Sequence, residues 1–314
     1  FHAFSDYECK PIGLVSKPLQ LPPTQRDKIS AADLYTVLND VSRYSCHIYD
    51  PLYLLLLDTR SVQDYQTNHI QSAFHVSAVN VAIINQNLQK FSNIIFYGAD
   101  GKLDENDQFV EHAVGLLEDH DIDYDILTGG FCEFHERFPF MCNTVTAWTE
   151  VEREHKLSVY PSLILEDWLY QGNGNQARNA EMIQAMGITH ILNISTEHKC
   201  DLDGVKYMHI KLQDEGSSPL IDHFENVFEF LDEAKRTKGR ALVHCNLGVS
   251  RSSTASLAYM MLSERCSLGD AYTFLKQRRP ISAPNRGFLL QLGEFEEYIF
   301  GKSLTDANEL WLSI

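Results

Sequence analysis

A histidine, a cysteine and an arginine lie close together in the stretch "ALVHCNLGVSRSSTASLAYMML", which runs from Ala241 to Leu262. The apolar residues before Cys245 are typical of a buried strand, and those after Arg251 are typical of a helix. A loop between a strand and a helix N-terminus directs several backbone N–H groups at one point, where the helix dipole favours an anion. Gly248 allows the backbone to approach a ligand closely. The predicted phosphate-binding residues are Asn246, Leu247, Gly248, Val249, Ser250 and Arg251.

The thiol and the guanidinium on either side of this loop suggest nucleophilic chemistry on phosphorus. Arg251 offers a planar fork of donors that matches two phosphate oxygens, and the same positive environment favours the thiolate of Cys245. A cysteine that ends a buried strand is usually inert packing. The complete set His-Cys-Asn-Leu-Gly-Val-Ser-Arg-Ser, in its strand-turn-helix context, favours catalysis or phosphate binding instead. We therefore predict that Cys245 is a nucleophile and that His244 supports it.

Phosphoryl transfer to sulfur also needs an acid for the leaving oxygen, and "KLQDEG" supplies carboxylates just after a predicted strand. We assign this role to Asp214, with the adjacent Glu215 as the alternative. Ser252 either donates a hydrogen bond to the departing thiolate or caps the helix. Asn285, in "APNRG", either ties a neighbouring loop to the phosphate loop or is structural.

The composition describes a globular chain of 314 residues, long enough for two domains, with 44% hydrophobic residues and a net charge of −17. Such an acidic surface repels nucleic acid and anionic membranes, so we expect neither as a partner. No apolar run is long enough to span a bilayer. No Cys-x-x-Cys pair is present, so we expect no metal and no other cofactor. The start of the chain lacks a secretory leader pattern, which favours the cytoplasm, with the nucleus as an alternative.

Strand and helix patterns alternate along both halves, which predicts α/β folds. In the first half, Ser30 begins a helix, and "LYLLLLDTR", "NIIFYG" and "YDILTGGF" are strands. The polar stretch 142–159 is interpreted as a linker. In the second half, "LILEDWLYQGN" predicts a strand and a turn, and 175–187 predicts one helix. Arg278 and Arg279, before Pro280, are interpreted as a solvated helix end.

The stretch "VHCNLGVSRSS" matches the His-Cys-x5-Arg-Ser signature, and the second half resembles the cysteine-dependent dual-specificity protein phosphatases over about 157–301. The resemblance implies a central mixed sheet flanked by helices. It also implies that Cys245 forms a cysteinyl-phosphate, that Arg251 binds the phosphoryl group and that Asp214 is general acid and then general base. Leu247 departs from the family pattern, since a small residue is usual there.

The first half resembles the rhodanese-like domain of MAP kinase phosphatases in "LLLDTRSVQDYQTNHIQSAFHV" and "YDILTGGFCEFHERFPFMC". The expected domains are therefore a rhodanese-like domain at 28–142 and a phosphatase catalytic domain at 157–302. An active rhodanese carries a cysteine after its central strand, where this chain has Gly98. Sulfurtransferase activity is therefore not expected, and we interpret this half as a non-catalytic module that either binds a protein partner or is structural. The kinase-docking basic cluster of these phosphatases is also missing, with Lys90 the only cation in "SAVNVAIINQNLQKFSN". MAP kinase docking by that route is not expected.

The sequence thus predicts a metal-independent phosphatase that acts on phosphotyrosine in phosphoproteins, with phosphoserine and phosphothreonine as further substrates. Within the family, the two-domain order and the tail "GKSLTDANELW" most resemble a pseudophosphatase group without the nucleophilic cysteine. This chain retains the histidine, the cysteine and the arginine. The alternative function, which that kinship and Leu247 motivate, is a phospho-binding regulator or scaffold with little turnover.

Overall fold

The structure is a computed structural model that describes residues 14, 16, 28–42, 45–104, 106–165, 167–197 and 202–313. The described residues form two compact units. The first contains 28–159, and the second contains 160–313 together with Leu14, whose amide donates to the Ile299 carbonyl at 2.9 Å. Both units are α/β, as the alternating patterns predict. The narrower domain bounds expected from the sequence, 28–142 and 157–302, stay predictions.

The first unit contains a parallel five-stranded sheet in the order β1-β6-β5-β2-β4 and a two-stranded antiparallel ribbon, β3-β7. Its elements are β1 (Lys28–Ile29), α1 (Ala31–Leu38), β2 (Leu54–Asp58), α2 (Val62–Thr67), β3 (His69–Ile70), β4 (Phe74–His75), α3 (Ala82–Asn85), β5 (Asn93–Tyr97), α4 (Gln108–Asp119), β6 (Asp125–Leu127), α5 (Gly130–Arg137), β7 (Cys142–Asn143) and α6 (Glu150–Lys156).

Local signals place several elements of this unit as expected. All five residues of β2 are buried, which explains its continuous apolar run. Ser30 caps α1 by accepting a hydrogen bond from the Asp33 amide. The linker interpretation of 142–159 is wrong in its second part, because α6 forms there with a capping box between Thr149 and Glu152. Arg153 of this helix is buried and donates to the Ile48 carbonyl at 3.0 Å, which the polar sequence conceals.

The second unit contains a mixed five-stranded sheet in the order β11-β10-β12-β9-β8, in which only the β8–β9 pair is antiparallel. Its elements are β8 (Ser162–Leu165), β9 (Leu169–Asn173), α7 (Gly174–Arg178), α8 (Ala180–Ala185), β10 (Ile188–Ile194), β11 (Lys206–Ile210), α9 (Phe224–Arg236), β12 (Arg240–Cys245), α10 (Arg251–Ser263), α11 (Leu268–Arg278), α12 (Arg286–Phe300) and α13 (Ala307–Leu312).

Two predictions for this unit are wrong in detail. "LILEDWLYQGN" forms the hairpin β8–β9 rather than one strand and a turn. The single helix expected over 175–187 is divided at Asn179, whose backbone is extended at φ −81° and ψ 96° and whose side chain accepts from the Met182 amide. Asparagine competes with helix continuation because its side chain bonds to nearby amides, so it begins α8 instead of extending α7.

The helix α10 lies at the centre of the second unit. Its residues from Arg251 to Met261 are all buried, in a core shared with the sheet and with helices α9, α11 and α12. Packing on every side explains why this helix has no polar face. None of the helices in the described ranges combines the length and the apolar content needed to cross a bilayer.

Candidate active site

The thiol of Cys245 lies at the carboxyl end of β12, a central strand of the second sheet. Cys245 pairs in register with Asn173 of β9 and is 1% exposed. Its Sγ is 3.3 Å from the Oγ of Ser252, within reach of a hydrogen bond. Ser252 belongs to the body of α10, and the N-cap of that helix is Ser250, so the capping interpretation of Ser252 is wrong.

The loop 246–250 connects this strand to α10 and leaves its amides available. Among the described residues, the backbone N–H groups of 247–251 donate to no acceptor in the protein. Gly248 takes the left-handed conformation at φ +69°, and a Cβ there would lie 2.4 Å from the Gly172 carbonyl oxygen. Unused amides beside a helix N-terminus form an anion site. The side chain of Leu247 is 73% exposed, so its size does not fill the loop.

Arg251 begins α10 and is buried beside this loop. One guanidinium nitrogen (NH1) donates to the Leu212 carbonyl at 2.9 Å, and Nε lies 3.5 Å from Asp214 Oδ2. Nε has no hydrogen-bond partner although it is buried. A buried donor without a partner is costly, so Arg251 retains a hydrogen bond that an incoming anion can accept.

Asp214 is held in the loop after β11 by two donors that reach the same carboxylate oxygen. Its Oδ1 accepts from the Ser250 hydroxyl at 2.6 Å and from Asn285 Nδ2 at 2.9 Å. The backbone amide of Asn285 also donates to the Ser250 hydroxyl, at 3.1 Å. Asn285 additionally caps α12 by accepting from the Phe288 amide at 3.0 Å. Asn285 therefore both contacts the phosphate loop and caps a helix. Asp214 and Glu215 are both exposed, and the donors Ser250 and Asn285 reach Asp214.

His244 immediately precedes Cys245 in β12 and is buried. Its Nδ1 lies 3.4 Å from the Cys245 carbonyl oxygen, and burial lowers the pKa of His244 to about 4. The imidazole is therefore neutral at physiological pH. A neutral ring adds no charge to the site, which leaves guanidinium groups and amides as its positive elements.

Two buried residues at this site were missed in the sequence. Arg279 is 2% exposed, so its interpretation as part of a solvated helix end is wrong, and the same holds for the buried Arg278. Arg279 Nε donates to the Gly248 carbonyl at 2.9 Å, and Gln171 Nε2 approaches the same oxygen at 3.3 Å. The tandem arginines before Pro280 were the only sequence signal, whereas Gln171 in "LYQGN" carried none.

The corresponding loop of the first unit, after β5, is closed by its own chain. The carbonyls of Gly98 and Ala99 accept from the amides of Phe131 and Cys132 at 2.8 and 3.0 Å. A Cβ on Gly98 would lie 2.1 Å from the Lys102 carbonyl oxygen. The loop thus has no thiol at position 98 and no space for a side chain there. That this half is non-catalytic stays a prediction.

Comparison with known proteins assigns a family to each half. The family model "Dual specificity phosphatase, catalytic domain" matches residues 169–298, and the model "Rhodanese-like domain" matches residues 44–137. A probable rhodanese domain-containing dual specificity protein phosphatase of Dictyostelium discoideum is 36% identical over 180 residues, which cover 55% of this chain and 37% of that protein.

Two further similarities concern the second half. The human protein phosphatase Slingshot homolog 1 is 40% identical over 152 residues, which cover 48% of this chain and 14% of that protein. A solved human structure, the tyrosine phosphatase-like serine/threonine/tyrosine-interacting protein, is 30% identical with a TM-score of 0.42, covering 44% of this chain and 95% of that one. The chain spans less than half the length of these two curated relatives. The chain therefore contains a rhodanese-like domain at 44–137, followed by a dual specificity phosphatase catalytic domain at 169–298.

Proposed function

We propose that this protein hydrolyses phosphotyrosine in phosphoprotein substrates, and phosphoserine and phosphothreonine as well, through a cysteinyl-phosphate intermediate. The observation that carries the proposal is the set of unused donors around Cys245. The amides of 247–251 and the Nε of Arg251 have no acceptor among the described residues, although both groups adjoin a buried thiol. Such donors stabilise charge that develops on phosphoryl oxygens.

In the first step, the Cys245 thiolate attacks phosphorus. The S–P bond forms while the bond from phosphorus to the ester oxygen breaks, and Asp214 gives its proton to the leaving oxygen. The hydrogen bonds from Ser250 and Asn285 engage only Oδ1 of Asp214, so they leave Oδ2 to carry that proton. Because Oδ2 lies 3.5 Å from Arg251 Nε, the proton donor sits beside the group proposed to bind the phosphoryl oxygens.

In the second step, water attacks the cysteinyl-phosphate. The ionised Asp214 takes a proton from the water, an O–P bond forms, and the S–P bond breaks to release inorganic phosphate. The Ser252 hydroxyl, 3.3 Å from Sγ, donates a hydrogen bond to the departing thiolate. This donor favours the thiolate as a leaving group and restores the nucleophile for another turnover.

Turnover of a small aryl phosphate by the full chain, in reducing buffer, tests the proposal. We expect hydrolysis by the natural chain and none above background for Cys245→Ser, because serine supplies no thiolate. Cys266→Ser is the matched control, since Cys266 is also buried and accompanies no loop of free amides. Equal, background-level rates for the natural chain and Cys245→Ser would refute the enzyme proposal.

A phospho-binding regulator remains the second candidate, because Arg251 already shares its guanidinium with Leu212 and Asp214. It predicts phosphopeptide binding that Arg251→Ala abolishes, with no burst of cysteinyl-phosphate on rapid mixing. A burst equal to the enzyme concentration would exclude this candidate. For the first unit, whose closed loop lacks a thiol, we propose a protein-binding role in the cytoplasm or the nucleus.

A further inference from the structure

We propose that Arg279 is a positioning residue that holds the phosphate loop open and supports the Cys245 thiolate with a buried positive charge. The inference rests on the proposed function of Cys245 and concerns a residue outside the His-Cys-x5-Arg-Ser signature. Arg279 follows the last residue of α11, and its contacts reach the loop across 31 positions of sequence.

The contacts of Arg279 join the loop to the edge of the sheet. Its Nε donates to the Gly248 carbonyl at 2.9 Å, and one guanidinium nitrogen (NH1) donates to the Ser162 hydroxyl of β8 at 2.9 Å. The second terminal nitrogen (NH2) would lie 2.7 Å from a Cβ on Gly248. A planar guanidinium makes these contacts simultaneously, and a lysine could supply only a point charge.

The carbonyls of Gly248 and Val249 both accept hydrogen bonds from groups outside the loop. Gln171 Nε2 reinforces the Gly248 carbonyl at 3.3 Å, and its Oε1 accepts from Ser256 at 2.9 Å. The Val249 carbonyl accepts from the Ala283 amide at 2.9 Å and from the Ser253 hydroxyl at 2.7 Å.

This engagement orients the loop amides. The C=O and N–H of one trans peptide unit point in opposite directions. Outward carbonyls at Gly248 and Val249 therefore turn the next two amides, of Val249 and Ser250, inward. The donors to these carbonyls, Arg279, Gln171 and Ser253, thus fix the orientation of the amides that are free to bind an anion.

The charge of Arg279 acts on the same site. Its hydrogen-bond partners are a carbonyl and a hydroxyl, and among the described residues it forms no ion pair with a carboxylate. Burial lowers the pKa of Arg279 to about 10, and the charge of the Cys245 thiolate opposes that shift. Arg279 therefore stays protonated at neutral pH. A buried cation with neutral partners is unfavourable unless an anion lies nearby, and the thiolate and a bound phosphate are those anions.

The experiment compares Arg279→Gln, which removes the charge, with Arg279→Lys, which keeps the charge but lacks the planar set of guanidinium donors. Arg278→Gln is the control, because Arg278 is also buried but stacks on the Phe274 ring. All variants are made in the full chain. The first measurement is the pH dependence of iodoacetamide alkylation at Cys245, read from its peptide by mass spectrometry, which needs no turnover. The second is kcat/KM for an aryl phosphate.

For Arg279→Gln we expect the alkylation midpoint to rise by about one pH unit, because a cation near the thiolate is lost. Its kcat/KM should fall about 100-fold as the loop loses its support. Arg279→Lys should keep the natural alkylation midpoint and lose kcat/KM about tenfold. Arg278→Gln should match the natural chain in both measurements.

A folded Arg279→Gln with the natural midpoint would overturn the proposal, as would an Arg279→Lys whose midpoint rises as far as that of Arg279→Gln. If Arg279→Gln fails to fold, Arg279→Lys decides alone, since the proposal requires its midpoint to be natural and its kcat/KM to be reduced. Failure of the proposed function would be read separately, from an absence of turnover in the natural chain.

Discussion

Each half of the molecule has a loop between a buried parallel strand and a helix, and only in the second half does a cysteine stand at the end of that strand. The loop after β5 offers its carbonyls to the amides of Phe131 and Cys132, so its own chain fills the space. The loop after β12 leaves the amides of 247–251 without acceptors in the described chain. The same strand-loop-helix topology therefore places a candidate nucleophile, Cys245, after the strand in one half and Gly98 at that place in the other.

The helices that follow the two loops differ in how their N-termini are capped. The carboxylate of Asp107 accepts from the amides of Phe109 and Val110 at 2.7 and 3.2 Å, so the N-terminus of α4 already holds an anion of its own. Ser250 stands at the equivalent place before α10 but makes no capping bond. Its hydroxyl instead donates to Asp214 and accepts from the Asn285 amide. A helix N-terminus becomes a ligand site only where no side chain of the protein occupies it.

The largest expected effect comes from closing the open loop with Gly248→Ala. The left-handed backbone at φ +69° disfavours alanine, and the new Cβ would meet the Gly172 carbonyl at 2.4 Å. Displacement of the loop by about 1 Å should lower kcat/KM about 100-fold. Steady-state kinetics on an aryl phosphate measure this loss, with Gly115→Ala as the control because its Cβ would contact nothing within 4 Å. Unchanged kinetics would show that loop geometry does not limit catalysis.

The reverse substitution, Gly98→Cys, supplies a thiol to the closed loop. We expect no sulfur transfer from thiosulfate to cyanide, because the Gly98 and Ala99 carbonyls hold the start of α5 against the loop and a side chain at position 98 has no space. The new side chain should destabilise the first unit by about 2 kcal/mol, since its Cβ would overlap the Lys102 carbonyl oxygen. Thiocyanate production together with an unchanged melting temperature would contradict the view that this loop is filled.

A smaller and more selective effect separates the two N-cap positions. Asp107→Ala should lower the free energy of unfolding by about 1 kcal/mol because α4 loses its cap. Ser250→Ala should lower it by about the same amount because the hydroxyl's hydrogen bonds are lost. Only Ser250→Ala should lower kcat/KM, by about tenfold, because Asp214 loses one of its two donors. Urea unfolding and kinetics on both variants test the pair. A similar loss of kcat/KM in Asp107→Ala would contradict the prediction that only the N-cap residue of α10 contributes to catalysis.

The smallest effect is expected for Leu247→Ala, which restores the small residue usual in the family. Because the Leu247 side chain is 73% exposed, kcat/KM should change by less than about twofold. The free energy of unfolding should change by less than about 0.5 kcal/mol. A large gain in kcat would instead identify Leu247 as the feature that limits turnover, and would strengthen the candidate function of a weakly active regulator.

Much of the fold could be predicted because the signals are local. The apolar run of β2, the cap at Ser30 and the strand-turn-helix around Cys245 depend on residues a few positions apart. The sequence-based predictions are wrong where an element is short or where burial of a side chain depends on a contact that is distant in sequence. The helix α6 is seven residues long, and its buried Arg153 bonds to a carbonyl 105 positions away.

The amino-acid sequence by itself determined the order of the elements and the placement of a thiol, a guanidinium and a glycine around one turn. Periodicity and residue type are sufficient for that, because they act within a single strand or helix. Only the tertiary structure decided that Arg279 is buried under this turn, that Leu247 faces solvent and that Asp214 is held by Ser250 and Asn285. Whether a charged side chain is buried depends on partners that the fold brings together, such as Ser162, which is 117 positions from Arg279.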